Sequence, residues 1–95
     1  MARYISLLRF TEQGAKNIKK STSRAHAFDK LAANAGVKIE GQYWTMGKYD
    51  GVLIVSADSE RKVLHLLTAL ASLGNVRTAT MQAFTDLEFD AIAEE

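Results

Sequence analysis

The sequence contains no cysteine and no proline. Without cysteine there is no disulfide, no thiolate nucleophile and no Cys-ligated metal. Without proline, element boundaries must be read from glycines and helix caps. Neither sign of charge dominates: 12 Lys and Arg against 11 Asp and Glu give a net charge of +1. A nucleic-acid or membrane-surface protein would carry a basic excess on one face, so neither partner is expected. No apolar run approaches membrane-spanning length. The start, "MARYISLLRF", interrupts its apolar run with Arg9 and offers no small-residue cleavage site, so it does not read as a secretory signal. The expectation is a cytoplasmic protein.

What is present suits one globular unit spanning residues 1–95. Apolar residues make up 47% of the chain, enough for a core. A chain of this length buries only a modest share of its surface, and a subunit interface would add to that. "RYISLLRF" (3–10) reads as a strand. Thr11 can cap a short helical segment running to about Lys20. Ser21, Thr22 and Ser23 then compete to cap "RAHAFDKLAANAG", where Ala25, Phe28, Leu31, Ala32 and Ala35 share a stripe and Gly36 ends the helix. "VKIEGQYWTM" (37–46) and "GVLIVSA" (51–57) read as strands, the second apolar enough to be central. Asp58 or Ser59 caps a helix with Val63, Leu66, Leu67 and Leu70 on one stripe, closed by Gly74. "NVRTATMQAF" is a last, more polar strand. "FTDLEF" then supplies a capping box, Thr85 with Glu88, flanked by Phe84 and Phe89 in staple positions.

The order is β-α-β-β-α-β plus a short C-terminal helix. This is the ferredoxin-like α+β arrangement: a four-stranded antiparallel sheet with helices on one face, strands one and three central. Lys38 and Glu40 in the second strand, and Asn75, Arg77 and Gln82 in the fourth, suit edges.

The hairpin "YWTMGKYDGVLIV" (43–55) carries the strongest local signal. Gly47-Lys48 fits a two-residue turn, which sets Trp44 opposite Gly51. Uninterrupted alternation puts Val37, Ile39, Tyr43, Thr45, Asp50, Val52 and Ile54 on one face, expected under the helices. It puts Lys38, Glu40, Gln42, Trp44, Met46, Tyr49, Leu53 and Val55 on the open face. So large an apolar patch predicts a second subunit laid sheet to sheet. An RNA-recognition domain shares this order but needs aromatics on the open face of its third strand, where this reading puts Leu53 and Val55.

These pieces resemble the GYD-domain family, named for a Gly-x-Tyr-Asp motif. The likeness rests on "GKYD" (47–50), "LGNVRT" (73–78), "AFT" (83–85), Phe10-Thr11 with Gly14, and Glu88. It runs over nearly the whole chain. The resemblance implies a small bacterial-type protein with a dimeric α/β-barrel-like assembly. It brings no catalytic residue with it. Proteins of that fold include cofactor-free monooxygenases, isomerases, haem enzymes and ligand-binding modules, and fold alone does not choose among them.

Three readings stay open. In the first, a homo-oligomer binds a small organic ligand in an apolar pocket walled by Gln42, Trp44, Met46, Tyr49 and Leu53. In the second, the same architecture is a cofactor-free oxygenase or isomerase, with Asp50 as its base. In the third, the oligomer is purely structural. Asp50 and Tyr49 also have a simpler explanation, a turn carboxylate accepting backbone N–H bonds and a ring covering the sheet end. Lys20, Ser21, Ser23 and Arg24 cluster near a helix start and could hold an anion, although a solvated basic face is the simpler explanation. His26 and His65 have no partner at metal-ligand spacing and read as surface residues. No residue pattern calls for a metal or a cofactor.

Overall fold

The computed structural model describes residues 1–95. Strands β1 (Ala2–Phe10), β2 (Lys38–Trp44), β3 (Gly51–Ala57) and β4 (Val76–Ala83) form one sheet in the order β2-β3-β1-β4. All neighbours are antiparallel. Helices α1 (Glu12–Lys16), α2 (Ser21–Ala35) and α3 (Glu60–Ser72) join the strands, with a 3-10 turn at Ile18–Lys20, and α4 (Asp86–Ala93) follows β4. The apolar first and third strands are central and the charged second and fourth are edges, as the sequence predicts. Split β-α-β topology sets this order, giving β1 and β3 a hydrogen-bonded neighbour on each side.

The core lies between the sheet and α2 and α3. Tyr4, Leu53, Val55 and Ala57 from the strands meet Phe28 and Ala32 of α2 and Val63 and Leu66 of α3. This reverses the expected faces of the hairpin. Leu53 and Val55 are buried under the helices, while Val52 and Ile54 lie on the open face with Ile5 and Leu7, their β1 neighbours. The hairpin register itself is as expected, with Trp44 opposite Gly51. The reversal originates in β2. Ile39 pairs with Val55 but Gly41 pairs with Ile54, so Glu40 is an extra residue in the ladder. A β-bulge sets two residues against one and flips the alternation beyond it. Ile39 is therefore on the helix side, and so are Gln42 and Trp44. Tyr43 is on the open face, its ring lying over Gly41, where an added Cβ would come within 2.8 Å.

The open face remains apolar with this different membership. Ile5, Leu7, Val52, Ile54, Tyr43, Ala79 and Met81 occupy it by strand pairing. On β4 the apolar residues Ala79, Met81 and Ala83 face outward while Thr78, Thr80 and Gln82 face the helix side. Arg3 and Glu40 pair at 3.1 Å at one edge, and Arg9 and Arg77 stand side by side at the opposite end. The aliphatic Val52 and Ile54 give β3 no base-stacking ring there.

Caps explain most helix boundaries. Thr11 accepts from the Gly14 amide, Ser59 from Arg61, and Gly36 ends α2 with a φ of 77°. The start of α2 differs from expectation. Ser21, Thr22 and Ser23 are helical, and Lys20 precedes them without a side-chain cap. The preceding 3-10 turn runs directly into the helix, so Ser21 donates its hydroxyl back to Ile18 instead. The turn at the hairpin tip is also wider than two residues: Thr45 N–H donates to Asp50 O at 3.0 Å, around Met46 to Tyr49. Helix α4 carries the predicted capping box, with Thr85 N–H donating to Glu88 Oε1 at 2.8 Å and Glu88 N–H to Thr85 Oγ1 at 3.1 Å. No residue of α4 is buried, and Phe84, Leu87, Phe89 and Ile92 are all exposed.

Candidate functional site

A cleft of about 310 Å³ opens between the sheet and helices α2 and α3. Its floor is Leu8, Phe10, Gly51 and Leu53, and its helix wall includes Phe28 and Leu70. Trp44 stands in the lining half exposed, a consequence of the bulge that turns the end of β2 toward the helices. Most of the lining is apolar, with a few polar groups set into it: Gln42, Asp50, Asn75, Ser21 and Arg24. An apolar hollow with sparse polar groups is the usual form of a small-molecule site.

The expected pocket residues divide. Gln42, Trp44 and Leu53 meet in this cleft, on the helix side and not on the open face. Gln42 is held there by donating to the Asp29 carboxylate of α2. Met46 and Tyr49 lie outside it. Met46 is 99% exposed at the hairpin tip, since the widened turn carries it past the sheet. The Tyr49 ring lies beside two cations, Arg9 at 5.5 Å and Lys48 at 5.7 Å from its centroid. Of the basic cluster, Ser21 and Arg24 reach the cleft, whereas Lys20 and Ser23 are exposed elsewhere. His26 and His65 are exposed on their helices.

The short motifs converge on one end of the cleft. Asp50 is tied to β1 twice: its N–H donates to Leu8 O and its Oδ2 accepts from the Phe10 amide, each at 2.8 Å. Arg9 Nε donates to Lys48 O at 3.0 Å, and Gly47 supplies the positive φ of 109° that lets the tip fold back. "GKYD" is thus a clasp between the hairpin and the end of the first strand. A second clasp sits one residue on. Thr11 N–H donates to Asn75 O at 3.0 Å, and Thr11 Oγ1 donates to Gly74 O at 2.6 Å. Gln13 Nε2 bonds Leu73 O and Asn75 Oδ1. At Gly14 an added Cβ would lie 2.0 Å from Asn75 O, so only glycine fits. Consecutive amides of Phe10 and Thr11 therefore hold two separate segments, and Phe10, Asp50 and Asn75 all line the cleft.

Sequence reasoning did not bring Asn75 and Arg24 into one cleft, and it put Gln42, Trp44 and Leu53 on the open face, whereas they lie on the helix side. The signal available was Gly41, since a glycine inside a strand often marks a bulge.

Comparison with known proteins agrees with this architecture. A curated protein of Thermus thermophilus, named glutamine synthetase and cystathionine beta-lyase binding protein, is 33% identical over 84 residues, covering 87% of this chain and 88% of that one. A crystal structure of a Thermus thermophilus protein superposes with a TM-score of 0.58 at 24% identity, covering 90% of this chain and 95% of that one. A hypothetical protein of Pyrococcus horikoshii gives 0.59 at 18%, covering 90% and 93%. Those two structures share the fold. The GYD domain profile matches residues 4–93, and with the clasp motifs in place the chain belongs to the GYD-domain family.

Proposed function

We propose that this protein is a non-catalytic binding protein that takes a small organic ligand in the cleft between sheet and helices and self-associates through the open face of its sheet. The observation that carries the reading is the cleft itself: an apolar hollow of about 310 Å³ with a few polar groups, built where the family's motifs meet. The oxygenase or isomerase reading has less support. Its base would be Asp50, and that carboxylate already holds the Phe10 amide as part of a clasp. A wholly structural oligomer would not need the cleft.

Self-association is supported by the open face. Ile5, Leu7, Val52, Ile54 and Met81 form a patch that monomers seldom leave in water. Only 13 of 95 residues are buried in the single chain, so a partner would add substantially to a thin core. The exposed α4 is complementary in charge as well as apolarity. It carries Asp86, Glu88 and Asp90 beside Leu87 and Phe89, while Arg9 and Arg77 rim the open face.

Native mass spectrometry of the purified protein tests the ligand claim. The expected result is a small-molecule adduct on the wild type that is lost in Ala25→Phe, which fills the cleft from α2. A bare protein, or an adduct equally present in the variant, contradicts the reading.

A second reading is favoured by the Thermus thermophilus relative, whose name describes binding to two enzymes. Docking onto another protein would use the exposed apolar residues of α4, Leu87, Phe89 and Ile92. Co-sedimentation with purified glutamine synthetase, lost on Leu87→Asp, is the result that reading requires.

A further inference from the structure

One residue of the cleft lining, Arg24, has a polar atom whose needs the protein does not meet. Arg24 lines the cleft from the second turn of α2. Its Nη1 donates to Asn17 O at 2.8 Å, which fixes the guanidinium in place. Its Nη2 is buried and has no hydrogen-bond partner. The chain's ion pairs are Arg3 and Lys38 with Glu40, Lys16 with Glu12, and Lys62 with Asp58, so Arg24 has no carboxylate of its own. A buried guanidinium nitrogen left unpaired is costly, and such groups normally find an acceptor. Asp50 bonds the Phe10 amide, Gln42 bonds Asp29 and Asn75 bonds Gln13, and none of the three bonds Arg24.

We infer that the ligand is an organic acid, its carboxylate on Arg24 and its apolar body against Phe28, Leu53 and Trp44. The inference rests on the small-molecule reading above and narrows it to a chemical class. A guanidinium is suited to this role because its planar fork matches a carboxylate and stays charged at any physiological pH. The rest of the hollow is too apolar to satisfy a second charge, which fits a monoacid with an aliphatic or aromatic body. The charged head and the apolar body are read by different walls, so they can be tested separately.

Trp44 is the single tryptophan and lies in the cleft, so its fluorescence reports occupancy directly. The probes are phenylacetate and octanoate, each compared with its own uncharged amide on the wild-type protein. Each acid is expected to bind about tenfold or more tightly than its amide, the scale of a charge-assisted bond. Arg24→Gln is expected to bring acid and amide within about twofold of each other, and Arg24→Lys to restore part of the preference. Circular dichroism of both variants checks that the fold persists, and the wild-type comparison stands without them. Equal binding of acids and amides overturns the inference while leaving a working pocket. No response to any probe also overturns it, and the native mass spectrum then decides the pocket reading separately.

Discussion

Asp50 shows how much one side chain can organise. Its carboxylate closes the ring of contacts that joins the hairpin tip to β1, with the Phe10 amide 2.8 Å away. Asp50→Ala leaves that partly buried amide without its acceptor and is expected to lower stability by about 1–3 kcal/mol, read from urea unfolding. Gly14 is more constrained still. An alanine methyl there would overlap Asn75 O, and either α1 or the loop before β4 would have to move. Gly14→Ala is expected to cost about 3 kcal/mol, at the upper end for overpacking. Trp44 behaves differently from both. It is 50% exposed on the helix side, so Trp44→Ala removes only part of an aromatic's burial and is expected to cost about 2 kcal/mol. Because Trp44 does not face the proposed subunit contact, the unfolding shift should be the same at every protein concentration. A concentration-dependent loss would return Trp44 to the open face.

Among the elements, α4 depends most on its own cap. It buries nothing, so Thr85 and Glu88 supply much of what holds its first turn. Thr85→Ala is expected to cost on the order of 1 kcal/mol locally, seen as faster amide exchange across residues 86–93 with little change in global unfolding. The same cap gives a pH dependence. The Thr85 backbone N–H holds the Glu88 carboxyl below the usual glutamate range, with the Thr85 side chain adding to the effect. A lowered folded-state value means the stabilisation is present above the ordinary glutamate pKa and is lost as pH falls through the lowered value. Fraying of α4 in acid, absent in Glu88→Gln, would be the signature in the Thr85 amide shift.

The elements were also the level at which the sequence was most legible. Glycines at 36 and 74, the Thr11 and Ser59 caps and the Thr85–Glu88 box are local signals, and each works locally in the structure. The strand order followed from the β-α-β-β-α-β topology, and the apolar content of the first and third strands agrees with it. The side of the sheet did not follow. One unpaired residue at Glu40 reverses every side chain after it, and nothing about Glu40 itself announces the bulge. The candidate pocket shows the same reversal: Gln42, Trp44 and Leu53 share the helix-side cleft, and Met46 and Tyr49, expected beside them on the open face, lie outside it. Arg24 escaped notice as a cleft residue because a helix starting at Ser21, one 3-10 turn earlier than its hydroxyls suggest, sets where it faces.

At the scale of the whole molecule, the two faces of the sheet have separate tasks in this account. The helix side holds the cleft, and the open side meets another copy. Sedimentation of the wild type at micromolar concentration is expected to show an oligomer, since burying apolar surface contributes about 25 cal/mol per Å². A species of 10.5 kDa at that concentration would contradict self-association. The most direct test of the division itself is the native mass spectrum of Leu7→Lys, which puts a charge in the middle of the open face between Val52 and Ala79. The account predicts a monomer that still carries the small-molecule adduct. A monomer stripped of the adduct would contradict it, because the ligand would then belong to the space between subunits and not to the cleft of each chain.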